Sequence, residues 1–559
     1  MPADPSTAGS QSAGAKSPKR RPLIPGWGVL ITLIACSLLI AGSRLFQIEV
    51  QNVMGMFDQA FMNLLTLILG FISVCTLFCW FVWTSGYPLV IRRFAFYGTL
   101  AILLVAIICL QVEEVTGNMV PHFAWRWSPR ADQRLAKLEQ PQAENVDLKT
   151  TTPDDFPQFL GPDRTNYISQ PQLSGNWEST PPRELWRRKI GAGWCAFAVV
   201  NGFAVTMEQR GADEWVTCYE VATGKPRWGH RIPALHVNTL GGTGPRATPT
   251  IADGKVYAIG ATGVLRCLDG ATGELLWQDD LHARYGMTQV QAEAFLLWGR
   301  ANSPLVTDGL VIIPAGGPQP KVYPGAEDQS KAKTLIAYDQ VTGEKKWEGG
   351  KRQISYASPE VATLDGVRQI VIVNEDTVTG NDLKTGKELW SFPWPGTSNA
   401  DASSSQAHAL PENRLLLSKG YGGGAEIIEV KQAGGKWVVE SVQKNPRVLK
   451  TKFTNVTIIG DFIYGLSDGI LECVERDTLE PRWKSRQAHF GHGQVLGVGD
   501  KLLVLGEEGE LALVAASPEG YQRLGQIQAL EGKTWNNLCL TGKRLLVRNG
   551  QEAACYELP

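Results

Sequence analysis

AYDQVTGEKKW, Ala337 to Trp347, sets an acidic residue two positions after a small one, Thr-Gly three beyond that, and a tryptophan at the end. The same pattern returns as CYEVATGKPRW (Cys218 to Trp228), CLDGATGELLW (Cys267 to Trp277), GNDLKTGKELW (Gly380 to Trp390) and, worn, as CVERDTLEPRW (Cys473 to Trp483). Before most copies stand two β-type runs joined by a turn, as in ATPTIADGKVYAIGATG. The unit is therefore four strands: TPTIADG, KVYAIG, VLRCLDG and ELLWQDD, each joined to the next by a glycine-bearing hairpin turn. In such a sheet Thr-Gly turns the chain between strands three and four, and the tryptophan offers a flat face to cover the neighbouring sheet.

One four-stranded unit leaves its apolar face wet, so units must stack, and stacking around an axis gives a propeller. Closing tryptophans or their equivalents fall at Trp186, Trp228, Trp277, Trp347, Trp390, Trp437, Trp483 and about Leu524, which predicts eight blades. Most steps are 41 to 49 residues, and the step of 70 between Trp277 and Trp347 marks insertions around LHARYGMTQVQAEAFLLW and GPQPKVYPGAEDQSKAK. The chain ends in ACYELP, a strand three without its strand four, and RELWRRKI around Trp186 supplies the missing strand. Closure of this kind leaves no open sheet edge.

The first hundred or so residues differ from the rest. Three apolar runs, roughly Trp27 to Phe46, Ala60 to Trp83 and Phe94 to Val112, approach or exceed the ~20 residues that cross a bilayer as a helix. Lys16, Lys19, Arg20 and Arg21 precede the first run and Arg92 with Arg93 separates the second from the third. The positive-inside tendency then puts the N-terminus on the cytoplasmic side and everything after the third run on the far side, with Trp125 and Trp127 as an aromatic anchor at the outer interface. The expected organisation is a basic tail over 1–26, a three-helix anchor over 27–112, a linker over 113–182 and an all-β propeller over 183–559. Within the linker PRADQRLAKLEQ reads as a short surface helix and DLKTTTPDD as extended or disordered. A net charge of −1, from 54 Lys+Arg and 55 Asp+Glu, gives no field for a polyanion and excludes a nucleic-acid role.

The repeat A-x-D-x-x-T-G-x-x-x-W, with Ala337, Asp339, Thr342, Gly343 and Trp347 at every named position, resembles the propellers of the quinoprotein alcohol dehydrogenases, whose cofactor is pyrroloquinoline quinone (PQQ). Proteins that bind no quinone share that propeller, among them the propeller subunit of the outer-membrane β-barrel assembly machinery. DFPQFLGPDR, MEQRG, GPRATPT, SPLV, YASPEV and SKGYGGGA look like a bacterial branch of these PQQ-like repeat proteins, which implies an exported location. In the dehydrogenases the resemblance implies a vicinal Cys-Cys pair, a calcium held by Glu, Asn and Asp, and an Asp base. This sequence has no Cys-Cys and no C-x-x-C-H, which weighs against catalysis. Cys218, Cys267, Cys473 and Cys555 share one strand-three position and read as small buried apolar residues, while Cys195 and Cys539, on neighbouring blades, read as packed thiols in preference to a disulfide.

Strand one lies nearest the axis, so a ligand would meet the residues at its start: Trp194, Arg246, Asn302, Tyr356, Gln406, Asn455, His492, and Trp535 with Asn536. Flat rings, an arginine and amides suit a sugar, a peptide or a small anion. Glu208 and Arg210 follow strand two of the first blade and are either rim groups or a local ion pair. His236, His408, His489 and His492 have no ligand spacing, and no metal site is expected. The sequence thus predicts a multi-pass inner-membrane protein with its propeller on the periplasmic side, binding a protein, an envelope polymer or a small ligand. The alternative is a membrane-bound dehydrogenase using PQQ and Ca²⁺ to oxidise an alcohol or sugar.

Overall fold

A computed structural model describes residues 21–46, 59–135, 146–316, 333–395, 402–485 and 487–559. The chain forms two compact units, Met1–Val50 with Phe61–Gln111, and Gln51–Ala60 with Val112–Pro559.

The apolar runs form three helices long and apolar enough to cross a membrane, Trp27–Leu45, Gln59–Thr84 and Leu89–Cys109. Arg44, the one charge in the first run, is accommodated by donating to Asn63 Oδ1 at 2.8 Å and Thr66 Oγ1 at 3.0 Å. Arg92 and Arg93, expected in a connection, lie in the third helix, because Pro88 stands at its N-cap and fixes the start at Leu89. Arg92 donates back to the Val82 carbonyl at 2.6 Å. Lys16, Lys19 and Arg20 lie outside the described residues.

The second unit contains an eight-bladed propeller of four-stranded antiparallel sheets. Blade 1 comprises Ala198–Val200, Phe203–Arg210, Asp213–Glu220 and Pro226–Pro233, and the next six follow in chain order. Blade 8 is Cys539–Thr541, Arg544–Arg548 and Glu552–Glu557, closed by Arg183–Lys189 from before blade 1, so the two ends of the domain share one sheet.

The repeated motif locks each blade to the next. Asp339 Oδ1 accepts the amides of Val341 and Thr342 at 3.0 and 2.9 Å, an Asx turn that Asp269 and Asp382 repeat. Gly343 follows at φ +72°, and a Cβ there would stand 2.5 Å from Trp277 of the preceding blade. Glycine is thus needed both for its left-handed backbone and because the neighbour's indole lies on it. Where the next turn allows, the indole N–H donates to a backbone carbonyl of that blade: Trp186 to Val221, Trp228 to Gly270 and Trp483 to Ser517, at 2.8 to 2.9 Å.

Every blade has its strand-three register shift beside this docking position, which identifies the occupants and corrects two of them. In blade 5 the residue opposite Ile427 is Gln443, whereas Trp437 pairs with Gln432 near the far end of the hairpin. Gln443 takes over the indole's polar contact, donating to the Thr478 carbonyl at 2.6 Å. In blade 7 the position is Gly525, not Leu524. A Cβ on Gly525 would overlap Trp177, a buried tryptophan that the segment before the ring lays in the missing indole's place. The propeller has six in-register tryptophans and borrows a seventh.

That segment is packed, not a free tether. Val146 and Leu148 are buried with Cys195 and Val216; Phe156, Leu173 and Trp177 join the core of the closing blades; and Tyr167–Ile168 adds a parallel strand to blade 7. Of PRADQRLAKLEQ only Ala131–Arg134 is described as helical, as one 3₁₀ turn, and residues 136–145 lie outside the described residues. In the Trp277–Trp347 insertion, Leu281–Tyr285 and Gln289–Phe295 are short helices capped by Asp280 and Thr288; residues 317–332 are outside the described set. All ten cysteines are free, with Cys195 and Cys539 both buried.

Candidate functional site at the propeller axis

DFPQFLGPDR carries the chain across the centre of the ring. Phe156 bridges to Val199 of blade 1, and Ile251 of blade 2 donates to the Pro157 carbonyl at 2.8 Å. Arg164 donates to the Pro304 carbonyl at the start of blade 3 at 3.0 Å, and Gln406 of blade 5 donates to the Arg164 carbonyl at 2.6 Å. Asn166 reaches the Val456 and Val495 carbonyls of blades 6 and 7 at 3.2 and 2.8 Å. One segment thus ties six blades together and fills the axis where strand-one residues converge. Beside it Glu360, in blade 4, has its carboxyl pushed up to about 8 by burial, opposed by the charge of Arg164. Burial likewise pulls Arg164 down, to about 10.

Against this plug, with Phe159 among its lining residues, lies a cavity of about 370 Å³. Trp194, Arg246, Tyr356, Asn455 and Trp535 line it, together with Trp298, Tyr421, Lys452 and Phe453, which sequence reasoning missed. The rings form two groups. Trp194 and Trp535 lie 5.0 Å apart between centroids, with Phe453 4.8 Å from Trp535; Trp298 and Tyr356 are 5.5 Å apart. Trp194 is fixed by its indole N–H, donated to the Gly241 carbonyl at 2.6 Å.

The charged residues in the described lining are Arg246 and Lys452. Arg246 donates to the carbonyls of Gly241 and Gly242 at 2.8 and 3.0 Å and to that of Gly244, and burial lowers its pKa to about 10. Among the described residues its hydrogen bonds are all to main-chain carbonyls. Lys533, buried at 3% exposure, stands 3.7 Å over the Trp535 ring and 5.1 Å over Trp194. Burial pulls its pKa down to about 8 against the opposing pull of Glu114 and Glu507. Lys452 Nζ is 5.5 Å over the Tyr421 ring. None of the described lining residues is a carboxylate.

The remaining sequence candidates do other work. Asn302 donates to the Ser355 and Ala357 carbonyls of the next blade at 3.0 and 2.6 Å, and Asn536 repeats this towards Gly193 and Cys195 at 3.1 and 2.8 Å. Gln406 holds the plug. These three amides, buried to about 1% exposure or less, do not line the cavity: Asn302 and Asn536 clamp neighbouring blades and Gln406 clamps the plug. His492 is buried 4.9 Å from the Phe453 ring, and burial lowers its pKa to about 3. Glu208 and Arg210 form a buried pair at 3.1 Å, with the carboxylate also accepting from Tyr219 and the Gly191 amide at 2.7 and 2.6 Å. That geometry is structural: it ties blade 1 to the chain entering from blade 8. Among the described residues no three His, Cys, Asp or Glu side chains converge as metal ligands.

The family model described as "Outer membrane protein assembly factor BamB", of the PQQ-like repeat type, matches residues 181–296 and 212–485, together just over half of the 559 residues. The chain belongs to this PQQ-like propeller family. Its curated relative, the dehydrogenase subunit of the quinone-dependent alcohol dehydrogenase of Acetobacter aceti, is 28% identical over 219 residues. That match covers 36% of this chain and 26% of the relative, so the chain spans about a quarter of that protein's length. Among solved structures, BamB from Moraxella catarrhalis aligns at 13% identity with a TM-score of 0.46, over 67% of this chain and all of the other. The quinohemoprotein alcohol dehydrogenase ADHIIG from Pseudomonas putida HK5 aligns at 13% identity with a TM-score of 0.49, over 74% and 83% of the two chains.

Proposed function

We propose that this chain is a membrane-tethered binding module whose propeller, exported to the periplasmic side of the inner membrane, engages a protein or envelope component through the axial bowl. The observation that carries this reading is the lining: among the described residues, paired aromatic faces with Arg246 and Lys452. Aromatic anchors beside amide and cationic donors are the chemistry of recognition sites. The family model's description as an assembly factor favours a protein partner. The three apolar helices supply the tether, and the basic residues Arg21, Arg92 and Arg93 support a cytoplasmic N-terminus. Labelling of the full chain in intact cells, at cysteines introduced singly at the exposed positions Lys225 and Glu519, tests the orientation: the propeller positions react with an impermeant maleimide only if they lie outside the cytoplasm.

The second reading, a PQQ-dependent dehydrogenase, is favoured by the Acetobacter relative and by the bowl itself. Two indole faces beside a guanidinium and an ammonium suit a planar anionic quinone, and Trp194, Trp535, Arg246 and Lys452 would hold it. PQQ would supply hydride acceptance. The calcium that accompanies it does not fit the described lining, since Ca²⁺ takes six to eight oxygen ligands and relies on carboxylates, of which those residues include none. Titrating the detergent-solubilised chain with PQQ and Ca²⁺, following quinone absorbance and Tm together, separates the readings. The binding-module reading expects neither saturable binding nor a rise in Tm. Tight binding with alcohol-dependent quinone reduction overturns it.

A further inference from the structure

Directly after the third apolar helix, Leu110–Val115 and Pro121–Trp125 pair as a hairpin, and the tip of that hairpin, in the same compact unit as the propeller, enters the mouth of the axial bowl. Thr116, Gly117 and Met119 line the cavity. Two groups of opposite charge, both almost wholly buried, grip the tip by its main chain. Glu507 Oε1, at 2% exposure, accepts the Gly117 amide at 2.6 Å, and Lys533 Nζ donates to the Val115 carbonyl at 2.9 Å. Glu507 is itself oriented by the Trp535 indole N–H at 2.8 Å and the His492 amide at 3.2 Å. No side chain fits at position 117: a Cβ on Gly117 would overlap the imidazole of His492.

Burying an acid and a base is costly, and both are directed here at one N–H and one C=O two residues apart in a loop. The site therefore reads a peptide turn by its backbone and by the absence of a side chain. Away from the tip the hairpin's side chains are more open, with Val112, Phe123 and Trp125 at 43, 62 and 53% exposure. Beyond the tip the aromatic bowl keeps its volume for whatever follows such a turn.

We propose that the mouth of the bowl is a receptor for a glycine-tipped peptide turn, filled in cis by residues 116–120, and that a partner protein presenting the same turn exchanges with it. This rests on the protein-binding reading and names what that partner must present. The recognition groups are Glu507, Lys533 and the space before His492; Trp535 and Trp194 form the adjoining wall.

The test uses the full chain in detergent and a fluorescein-labelled synthetic peptide, LQVEEVTGNMVPHFAW, copying residues 110–125. Gly117→Val drives the cis tip off His492 and frees the mouth. The peptide should bind this variant at least tenfold more tightly than it binds the wild-type chain, by anisotropy. Adding Lys533→Met should cost at least tenfold, and a peptide carrying Val for the glycine should not bind. Equal binding to both chains, or none to Gly117→Val, overturns the proposal. Should Gly117→Val misfold, hydrogen exchange of the wild-type chain decides: the Gly117 amide should be protected relative to residues 121–127 and lose that protection in Lys533→Met, and exchange as fast as the exposed strands overturns it. Quinone titration reports on the floor of the bowl and the peptide on its mouth, so failure of the binding-module reading and failure of this proposal are distinguishable.

Discussion

If the register shifts locate the docking position correctly, Trp228→Ala and Trp437→Ala should differ sharply although both remove one indole. Trp228 is 2% exposed, lies against Gly273 of the next blade with its ring 2.5 Å from where a Cβ would stand, and donates to Gly270. Its loss removes one of the largest buried side chains and opens a gap between two rigid sheets that cannot close over it, which costs about 3–5 kcal/mol. The orphaned Gly270 carbonyl adds about 1 kcal/mol. Trp437 is half-buried near a hairpin end, paired with Gln432 away from the docking position, and should cost under about 1.5 kcal/mol. The assay is urea unfolding of the detergent-solubilised chain followed by far-UV circular dichroism, which is blind to the lost fluorophore. A midpoint shift for Trp437→Ala as large as that for Trp228→Ala would refute the assignment of Gln443 as the fifth docking residue.

Gly343→Ala should destabilise by about 1–3 kcal/mol, because it combines a φ of +72° with an overlap against Trp277, and thermal unfolding would register it. Trp177→Ala should cost nearly as much as Trp228→Ala, although Trp177 lies outside every repeat, and the same urea series measures it. Glu360 has a pKa raised to about 8, so its protonated form is the one the fold prefers. The stability it contributes is fully present below its unfolded value and is lost as pH rises towards 8, so Tm should fall between pH 5 and 8 and Glu360→Gln should flatten that slope. Arg246→Ala should weaken binding of an anionic aromatic probe, 8-anilinonaphthalene-1-sulfonate, by about tenfold, as fluorescence titration would show.

The blades were legible because a turn that needs Asp, Thr and Gly at fixed offsets leaves the same letters wherever it recurs. Asp339, Thr342 and Gly343 each answer a local backbone demand, and local demands survive in sequence. Trp437 misled because the strand-three to strand-four hairpin of blade 5 is longer. A tryptophan at nearly the right spacing was counted, whereas the true occupant, Gln443, shares only the indole's ability to donate. Trp177 was invisible for a related reason: the signal for it is Gly525, a vacancy whose meaning depends on which segment comes to fill it.

The bowl was half legible, and the division follows the same physics. Trp194, Arg246, Tyr356, Asn455 and Trp535 could be found by asking what begins each strand one, because repeat register carries those positions to the axis. Asn302 and Asn536 satisfy the same rule yet turn sideways, since strand-one starts must also cap the carbonyls of the next blade, and a short amide does that better than a ring; Gln406 turns instead to the Arg164 carbonyl of the plug. Glu507, Lys533 and Gly117 obey no repeat at all. The first two follow strands two and four of blade 7, the third comes from the hairpin, and they meet only because that hairpin returns to the ring. Recurrent residues therefore build the walls of this site, and the three that give the mouth its selectivity come from outside the repeat, where partner choice can change without disturbing the propeller.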